Sequence, residues 1–308
     1  MKIKKLNDVA EKIKKCGFVA LLGAPNAGKS TLMNALVGSK ISIVTHKVQT
    51  TRTRFVGIAL HQESQMIFVD TPGIFAPKKR LERAMVSAAW AGASDADVIV
   101  LLVDAERGID ENTRRIIDGL KESGHKVILA INKIDAIRRD SLLSLSAALN
   151  EAGDFAETLM ISALKGDGLD DLRHRISAGL PEGPWLYPED QMTDITERML
   201  AAEVTREKFF LRLHEELPYA ATVETESWQE KKDGSVRIEQ VIYVERETQK
   251  AIVIGKGGRS LKEIGKMARE ELEDMLDRRV HLFIFVKVRK NWSDDKERYD
   301  NMGLDWVD

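Results

Sequence analysis

The apolar positions of this chain follow two rhythms. As far as about residue 180, short continuous apolar runs alternate with stretches whose apolar residues recur at helical spacing. FVALL (18–22) precedes STLMNALV, and MIFVD (66–70) precedes a stretch carrying Leu81, Met85, Ala88 and Ala89. DVIVLLVD (97–104) precedes TRRIIDGL, KVILAIN (126–132) precedes SLLSLSAAL, and TLMIS (158–162) precedes LDDLRHRI. Continuous runs of this kind suit strands buried on both faces. Their alternation with helices predicts an α/β fold with a doubly wound, mostly parallel sheet, in which ligands bind beyond the C-terminal strand ends.

Past residue 190 the pattern changes. Residues 191–217 predict one long helix ending before Pro218. Strands are expected at 219–228 and 236–245, with Asp233-Gly234 as the turn between them. A short strand, AIVI (251–254), meets GKGG; a helix follows with Leu261, Ile264, Ala268, Leu272 and Met275 at helical spacing; HLFIFVKV (281–288) is the last strand. This describes a small α+β domain. Between the two patterns, PEGPWLYPED (181–190) holds Pro181, Pro184 and Pro188, three of the seven prolines. Proline resists helix interiors and central strands. The expected organisation is therefore a first domain over 1–180, a proline-rich linker over 181–190, and a second domain with its tail over 191–308.

Composition narrows the class. A length of 308 residues suits two domains at roughly 150 residues each. The single cysteine, Cys16, excludes an intramolecular disulfide framework and a thiolate zinc cluster, and fits a reducing cytoplasm. The first apolar run is shorter than the roughly 7–15 residues of a signal peptide, and no run approaches the about 20 of a membrane span. A cytoplasmic protein is expected, peripheral on a membrane at most.

Chemistry enters with GAPNAGKS: Gly23, Ala24, Pro25, Asn26, Ala27, Gly28, Lys29 and Ser30. It matches G-x-x-x-x-G-K-[ST] between a strand and a helix, the arrangement of a P-loop NTPase. Backbone N–H groups and the helix N-terminus cradle phosphates there. Lys29 is expected to reach the β- and γ-phosphates and Ser30 to bind Mg2+. Asp70-Thr71-Pro72-Gly73 closes the next apolar strand. Its carboxylate suits the Mg2+ shell, through water, and the Gly73 N–H suits the γ-phosphate. Asn132-Lys133-Ile134-Asp135 ends another strand. One carboxylate accepts from both N1–H and the exocyclic amine of guanine, donors that adenine does not offer together, so Asp135 points to GTP and GDP. Asn132 would brace the loops, and the Lys133 stem would cover the base. Ser162-Ala163-Leu164 could offer a backbone N–H to guanine O6. Between the first two motifs, Gln49-Thr50-Thr51-Arg52 offers a switch threonine for Mg2+, Thr51 with Thr50 as the alternative. Lys29, Thr51, Asp70 and Gly73 form the candidate catalytic set. Two other classes stay open: a P-loop kinase or ATPase, against which NKID argues, and a constitutive RNA-binding module with a vestigial nucleotide site, against which the intact Lys29, Ser30, Asp70 and Asp135 argue.

In the second domain, Gly255-Lys256-Gly257-Gly258 opens a helix. G-x-x-G in that setting is the mark of a KH domain, which clamps single-stranded nucleic acid backbone; Arg259 and Lys262 stand beside it. A net charge of −2 excludes a uniformly basic surface but says nothing of distribution. Residues 181–308 carry 21 Lys/Arg against 28 Asp/Glu, yet 246–269 carry seven against two and 278–290 five against none. Phosphate contacts act within a Debye length, about 8 Å at physiological salt, so local patches outweigh the total. Phe283 and Phe285 are either base-stacking or core residues.

The ordered motifs GAPNAGKS, QTTRTRFVGI, DTPGIF, NKID, SALKGDGLDDL, VIGKGGRSLKEIG and VKVRKNWSDD resemble the Era family, ribosome-assembly enzymes among the TrmE-Era-EngA-like GTPases. That resemblance covers roughly residues 16–306. It implies a GTPase domain followed by a type II KH domain, binding to the 3′ end of 16S rRNA, assistance to small ribosomal subunit assembly, and peripheral inner-membrane association. A monomer is expected. Ile74, counted with the nucleotide-binding residues, stands where Ras-like enzymes carry a water-orienting Gln, which implies slow intrinsic turnover, on the order of 10⁻⁴ s⁻¹ by the Ras benchmark. Similar GTPases with an apolar residue there use K+ at a phosphate-loop Asn, which makes Asn26 a candidate K+ ligand.

Overall fold

In the computed structural model, residues 13–45, 47, 55–213, 217–290, 292, 295, 296, 299 and 302–307 are described. The fold class is the one the sequence predicts: a P-loop-type α/β sheet followed by a small α+β domain. The first sheet has the order β2-β3-β1-β4-β5-β6. Its strands are β1 (Lys15–Gly23), β2 (Phe55–His61), β3 (Ser64–Asp70), β4 (Val98–Asp104), β5 (Val127–Asn132) and β6 (Glu157–Met160). All neighbouring pairs run parallel except β2 and β3. Helices α1 (Lys29–Val37), α2 (Arg80–Ser94), α3 (Glu111–Ser123), α4 (Arg139–Ala152) and α5 (Leu169–Gly179) cover the two faces. One apolar cluster packs Val19, Leu21, Leu32, Val100 and Leu172 together, and another packs Ala20, Leu22, Leu101, Ile116 and Leu129. Alternate residues of β1 thus feed opposite cores, which is why its sequence is apolar without a break.

Strand β2 is a departure from the expected alternation. It pairs antiparallel with β3 through the tight turn at Gln62 and Glu63, with no helix between them. It is an edge strand, and its outer side is covered. Ile58 donates its N–H to Met192 O at 2.8 Å, Thr193 Oγ1 donates to Val56 O at 2.7 Å, and Val56 N–H donates to Asp194 Oδ1 at 3.0 Å. Covering an edge in this way removes a template for unwanted strand pairing. The segment leading out of the first domain therefore lies along its sheet, and the helix expected from 191 begins later. Helix α6 spans Glu197–Arg212, with Thr196 Oγ1 accepting from Met199 N–H as its N-cap.

The second sheet has the order β7-β8-β9, built from β7 (Ala221–Glu230), β8 (Val236–Val244) and β9 (Val280–Val288). β7 and β8 form the hairpin, and β8 and β9 run parallel. Between β8 and β9 come α7 (Glu247–Ile254) and α8 (Arg259–Leu276). AIVI is thus the end of a helix, not a strand. Gln249 Oε1 caps its start by accepting from Arg246 N–H at 3.0 Å, and Ile252 is exposed while Val253 is buried. A short apolar run before glycine fits either element by periodicity, and here the cap decides it.

Candidate nucleotide site and nucleic-acid surface

Each nucleotide motif follows the C-terminal end of a strand in the first sheet. The strands bring the loops together around a cleft of about 580 Å³. Pro25, Asn26, Gly28, Lys29, Ser30, Gly73, Asn132, Lys133, Asp135, Ser162, Ala163 and Leu164 line it. Gly23, Ala24, Ala27, Asp70, Thr71, Pro72, Ile74 and Ile134 do not. Ile74 is turned away: it is buried in the apolar cluster with Ala24 and Ala89, its N–H donating to Gly23 O at 3.2 Å. Thr51, and Thr50 beside it, lie outside the described residues. The motifs did not name Ile43, Val44, Thr45, Glu106 or Arg107, which also line the cleft. The last two follow β4, and the strand-end rule could have found them. Ile43 to Thr45 carry no signal except nearness to QTTR.

Asn132 joins three loops. Its Nδ2 donates to Ala27 O at 2.8 Å and its Oδ1 accepts from Ala163 N–H at 2.9 Å. The phosphate loop passes so close that a Cβ on Gly28, at φ +101°, would lie 2.3 Å from Asn132 Nδ2. Only glycine fits there. Lys133 Nζ donates to Asp104 Oδ2 at 2.6 Å, and Ser162 Oγ donates to Asp135 Oδ1 at 2.6 Å. These contacts fix the Asp135 carboxylate at one end of the cleft.

At the phosphate end, Lys29 is buried, with Nζ donating to Gly23 O at 3.1 Å and Ala24 O at 3.2 Å. Burial pushes its ammonium down from 10.5 to about 8, against the attraction of Asp70. Phosphate oxygens supply the anionic partner that offsets such a burial cost. Ser30 Oγ donates to Asp70 Oδ2 at 3.3 Å. A hydroxyl and a carboxylate adjacent beside a phosphate cradle are the hard oxygen donors that Mg2+ takes together with substrate phosphates, so these residues fit that ion.

The second domain touches the rim of this cleft. Glu207 of α6 accepts from Val44 N–H at 2.9 Å and from Lys40 Nζ at 2.7 Å, and Lys40 and Lys208 also pair with Glu271. Burial alone would raise the Glu207 carboxyl, but hydrogen bonds from Lys208, Lys40 and Val44 hold it below the ordinary carboxylate range.

Gly255, Lys256, Gly257 and Gly258 form the turn between α7 and α8, with Lys256–Gly258 in a 3₁₀ turn. Lys256, Gly257, Arg259 and Lys262 are exposed at the N-terminal end of α8. A helix N-terminus with cations beside it suits phosphate. The other basic residues divide. Lys266 and Arg269 pair with Glu270 and Glu273 along α8. Arg278 pairs with Glu197 and Glu230, Lys287 with Glu226, and Arg289 with Asp295. Three of the five basic residues in 278–290 are therefore paired with carboxylates, most of them distant in sequence. Phe283 and Phe285 are 42% and 50% exposed, with the Arg237 guanidinium 4.5 Å from the Phe283 ring centroid. Ile284, Val286 and Val288 face the core with α7 and α8. By strand alternation the two rings lie on the sheet face opposite those helices.

Comparison with known proteins agrees with this geometry. The family of 50S ribosome-binding GTPases matches residues 18–133, and the KH domain family matches residues 216–293. GTPase Era of Rhizobium meliloti is 60% identical over 94% of this chain and 93% of its own. GTPase Era of Dinoroseobacter shibae is 59% identical over 96% of each. A crystal structure of a variant of Aquifex aeolicus Era bound to GDP·AlF4⁻ has a TM-score of 0.89 at 41% identity, covering 94% of this chain and 99% of that one. A structure of Era in complex with MgGDPNP and nucleotides 1506–1542 of 16S ribosomal RNA gives 0.90 at 42% identity, with the same coverages.

Proposed function

The chain belongs to the Era family of GTPases, and from that membership we propose that it is a Mg2+-dependent GTP-hydrolysing switch that binds the 3′ region of 16S rRNA through its KH domain and assists small-subunit assembly. The observation that carries this most directly is Asn132. It bonds the phosphate loop and the Ser162-Ala163 loop at once, which supports reading one end of the cleft as a phosphate cradle and the Asp135 carboxylate at the other as the guanine reader. Against a P-loop kinase stand the guanine-type NKID motif and the matches to a GTPase family and a KH domain family.

In this reading Lys29 and the backbone N–H groups of the phosphate loop hold the β- and γ-phosphates, and Ser30 and Asp70 hold Mg2+. When bound, the ion neutralises charge that develops on the phosphate oxygens. Asp135 selects guanine. Ile74 is buried and carries no proton acceptor, so this chain orients its attacking water without a side chain at that position. Turnover is accordingly slow. The Val44–Glu207 hydrogen bond ties the rim of the cleft to the KH domain, which supports reciprocal coupling between nucleotide state and RNA affinity. Crosslinking followed by sequencing of the bound RNA, with a GTP analogue and with GDP, tests both. The expected result is enrichment of the 16S 3′ end that differs between the nucleotides; rRNA recovery no better than bulk RNA would exclude the proposed partner.

Asn26 lines the cleft in a left-handed backbone conformation, at φ +66°, and is the proposed K+ ligand. Replacing Na+ by K+ should speed hydrolysis several-fold; equal rates in the two buffers would remove K+ from the mechanism. Family membership also carries the expectation of a cytoplasmic monomer attached peripherally to the inner membrane. No helix among the described residues is long and apolar enough to cross a membrane.

A further inference from the structure

Behind the lining of the cleft, Asp70 takes part in a hydrogen bond whose other partner belongs to none of the nucleotide motifs. Ser42, 2% exposed, donates from Oγ to Asp70 Oδ2 at 2.7 Å. Ser30 Oγ donates to the same oxygen from farther away, at 3.3 Å. Ser42 is itself held at its backbone by one side chain. Asn34 Oδ1 accepts from Ile41 N–H at 3.0 Å and from Ser42 N–H at 2.9 Å, and Asn34 Nδ2 donates to Ser42 O at 2.7 Å. Asn34 lies on α1, the helix that also carries Lys29 and Ser30. The buried side chains of Ile41 and Ile43 anchor the flanks.

We propose that Ser42 is a positioning residue for the metal shell, fixing the rotation of the Asp70 carboxylate so that this group meets Mg2+ through water. The proposal rests on the nucleotide and Mg2+ assignment above. Rotation about the terminal bond of an aspartate is broad and only roughly two-fold, so a buried carboxylate needs a partner to choose its plane. Ser30 gives the longer of the two contacts, at 3.3 Å against 2.7 Å from Ser42, and its oxygen must also accommodate the ion. Ser42 has no such second duty, and its hydroxyl is delivered by a backbone clamped to α1. A hydrogen bond to an ionised carboxylate is among the strong ones, and loss of an outer-shell partner changes metal affinity by about 10–100-fold. The alternative, that Ser42 only satisfies a buried charge, makes no claim on Mg2+.

The test uses the full chain with Ser42→Ala and Ser42→Thr, and reads release of a fluorescent GDP as free Mg2+ is varied, with GDP affinity in EDTA measured alongside. Ser42→Ala should need roughly tenfold more Mg2+ to slow release by half, with GDP affinity in EDTA unchanged. Ser42→Thr, which keeps the hydroxyl, should return the parental Mg2+ dependence. The proposal is overturned by a Mg2+ half-point that Ser42→Ala does not move. It is equally overturned by a loss of GDP affinity that is the same in EDTA, since Ser42 would then shape the pocket rather than the metal carboxylate. Parental protein that binds no GDP, or releases it without regard to Mg2+, would overturn the nucleotide assignment itself, and this proposal with it.

Discussion

Replacing Asp135 by Asn should cost the protein its preference for GTP and give it one for xanthosine triphosphate. Guanine presents two donors, N1–H and the exocyclic amine, to a single carboxylate. Asn turns one of the two acceptors into a donor, which opposes the guanine amine and suits the carbonyl that xanthine carries there. The site is built for the carboxylate: Ser162 Oγ donates to Asp135 Oδ1 at 2.6 Å and itself accepts from Lys165 N–H at 3.1 Å, so the group that reads the base is held from behind. A site built to hydrogen-bond the N–H groups of its substrate discriminates by about 10⁴–10⁵ against an analogue lacking them. The expected swing in the ratio of GTP to xanthosine triphosphate affinity is therefore on the order of 10⁴. The Asn132 contacts to the phosphate loop do not involve Asp135, so phosphate binding should survive. Competition between the two nucleotides for the variant measures the swing directly. Unchanged GTP affinity would reopen the kinase and ATPase alternatives.

What could be foreseen from sequence, and what could not, divides along a physical line. Four of the five apolar runs announced strands because a parallel strand buried on both faces has no polar positions to hide it; the fifth forms the half-buried edge strand β6. The alternation expects a helix after every strand and so hides β2, which forms a hairpin with β3 at the sheet edge. The strand expected at AIVI gives way to α7 because four apolar residues before a glycine fit both periods, and the deciding Gln249 cap is a single side chain. The same limit applies at the site. Motifs marked residues whose chemistry depends on local spacing, such as Lys29, Ser30 and Asn132. Ser42 and Asn34 act through contacts set by the fold, and neither lies in a recognisable string. Charge shows the cost of distance most plainly. Arg278, Lys287 and Arg289 looked like part of a basic face, but Glu197, Glu230, Glu226 and Asp295 sit against them, and three of those four carboxylates arrive from other elements.

This pairing concentrates the expected RNA contact on GKGG and leads to the second large effect. Gly257→Asp should lower rRNA affinity on the order of 100-fold, equivalent to one or two charge-assisted hydrogen bonds at about 1.5–3 kcal/mol each. Gly257 sits at φ +63°, and a Cβ there would meet nothing within 4 Å. Asp tolerates the left-handed region better than most residues, so the fold should accept the change. What changes is the charge, placed beside Lys256 and Arg259 at the N-terminal end of α8, where a phosphate would bind. Gly257→Asn separates the causes: it carries nearly the same shape and backbone demand without the charge, so it should retain most of the affinity if repulsion dominates. The Asp variant should also lose affinity with a shallower salt dependence, because fewer counterions are released when fewer phosphates are held. GTP hydrolysis without RNA should remain parental in both variants, since Gly257 lies on the second domain, away from the cleft. Filter binding of a 16S 3′-end fragment across a salt series would decide it: unchanged affinity in Gly257→Asp would mean that RNA is gripped elsewhere, and the paired cations of 278–290 would be a poor place to look.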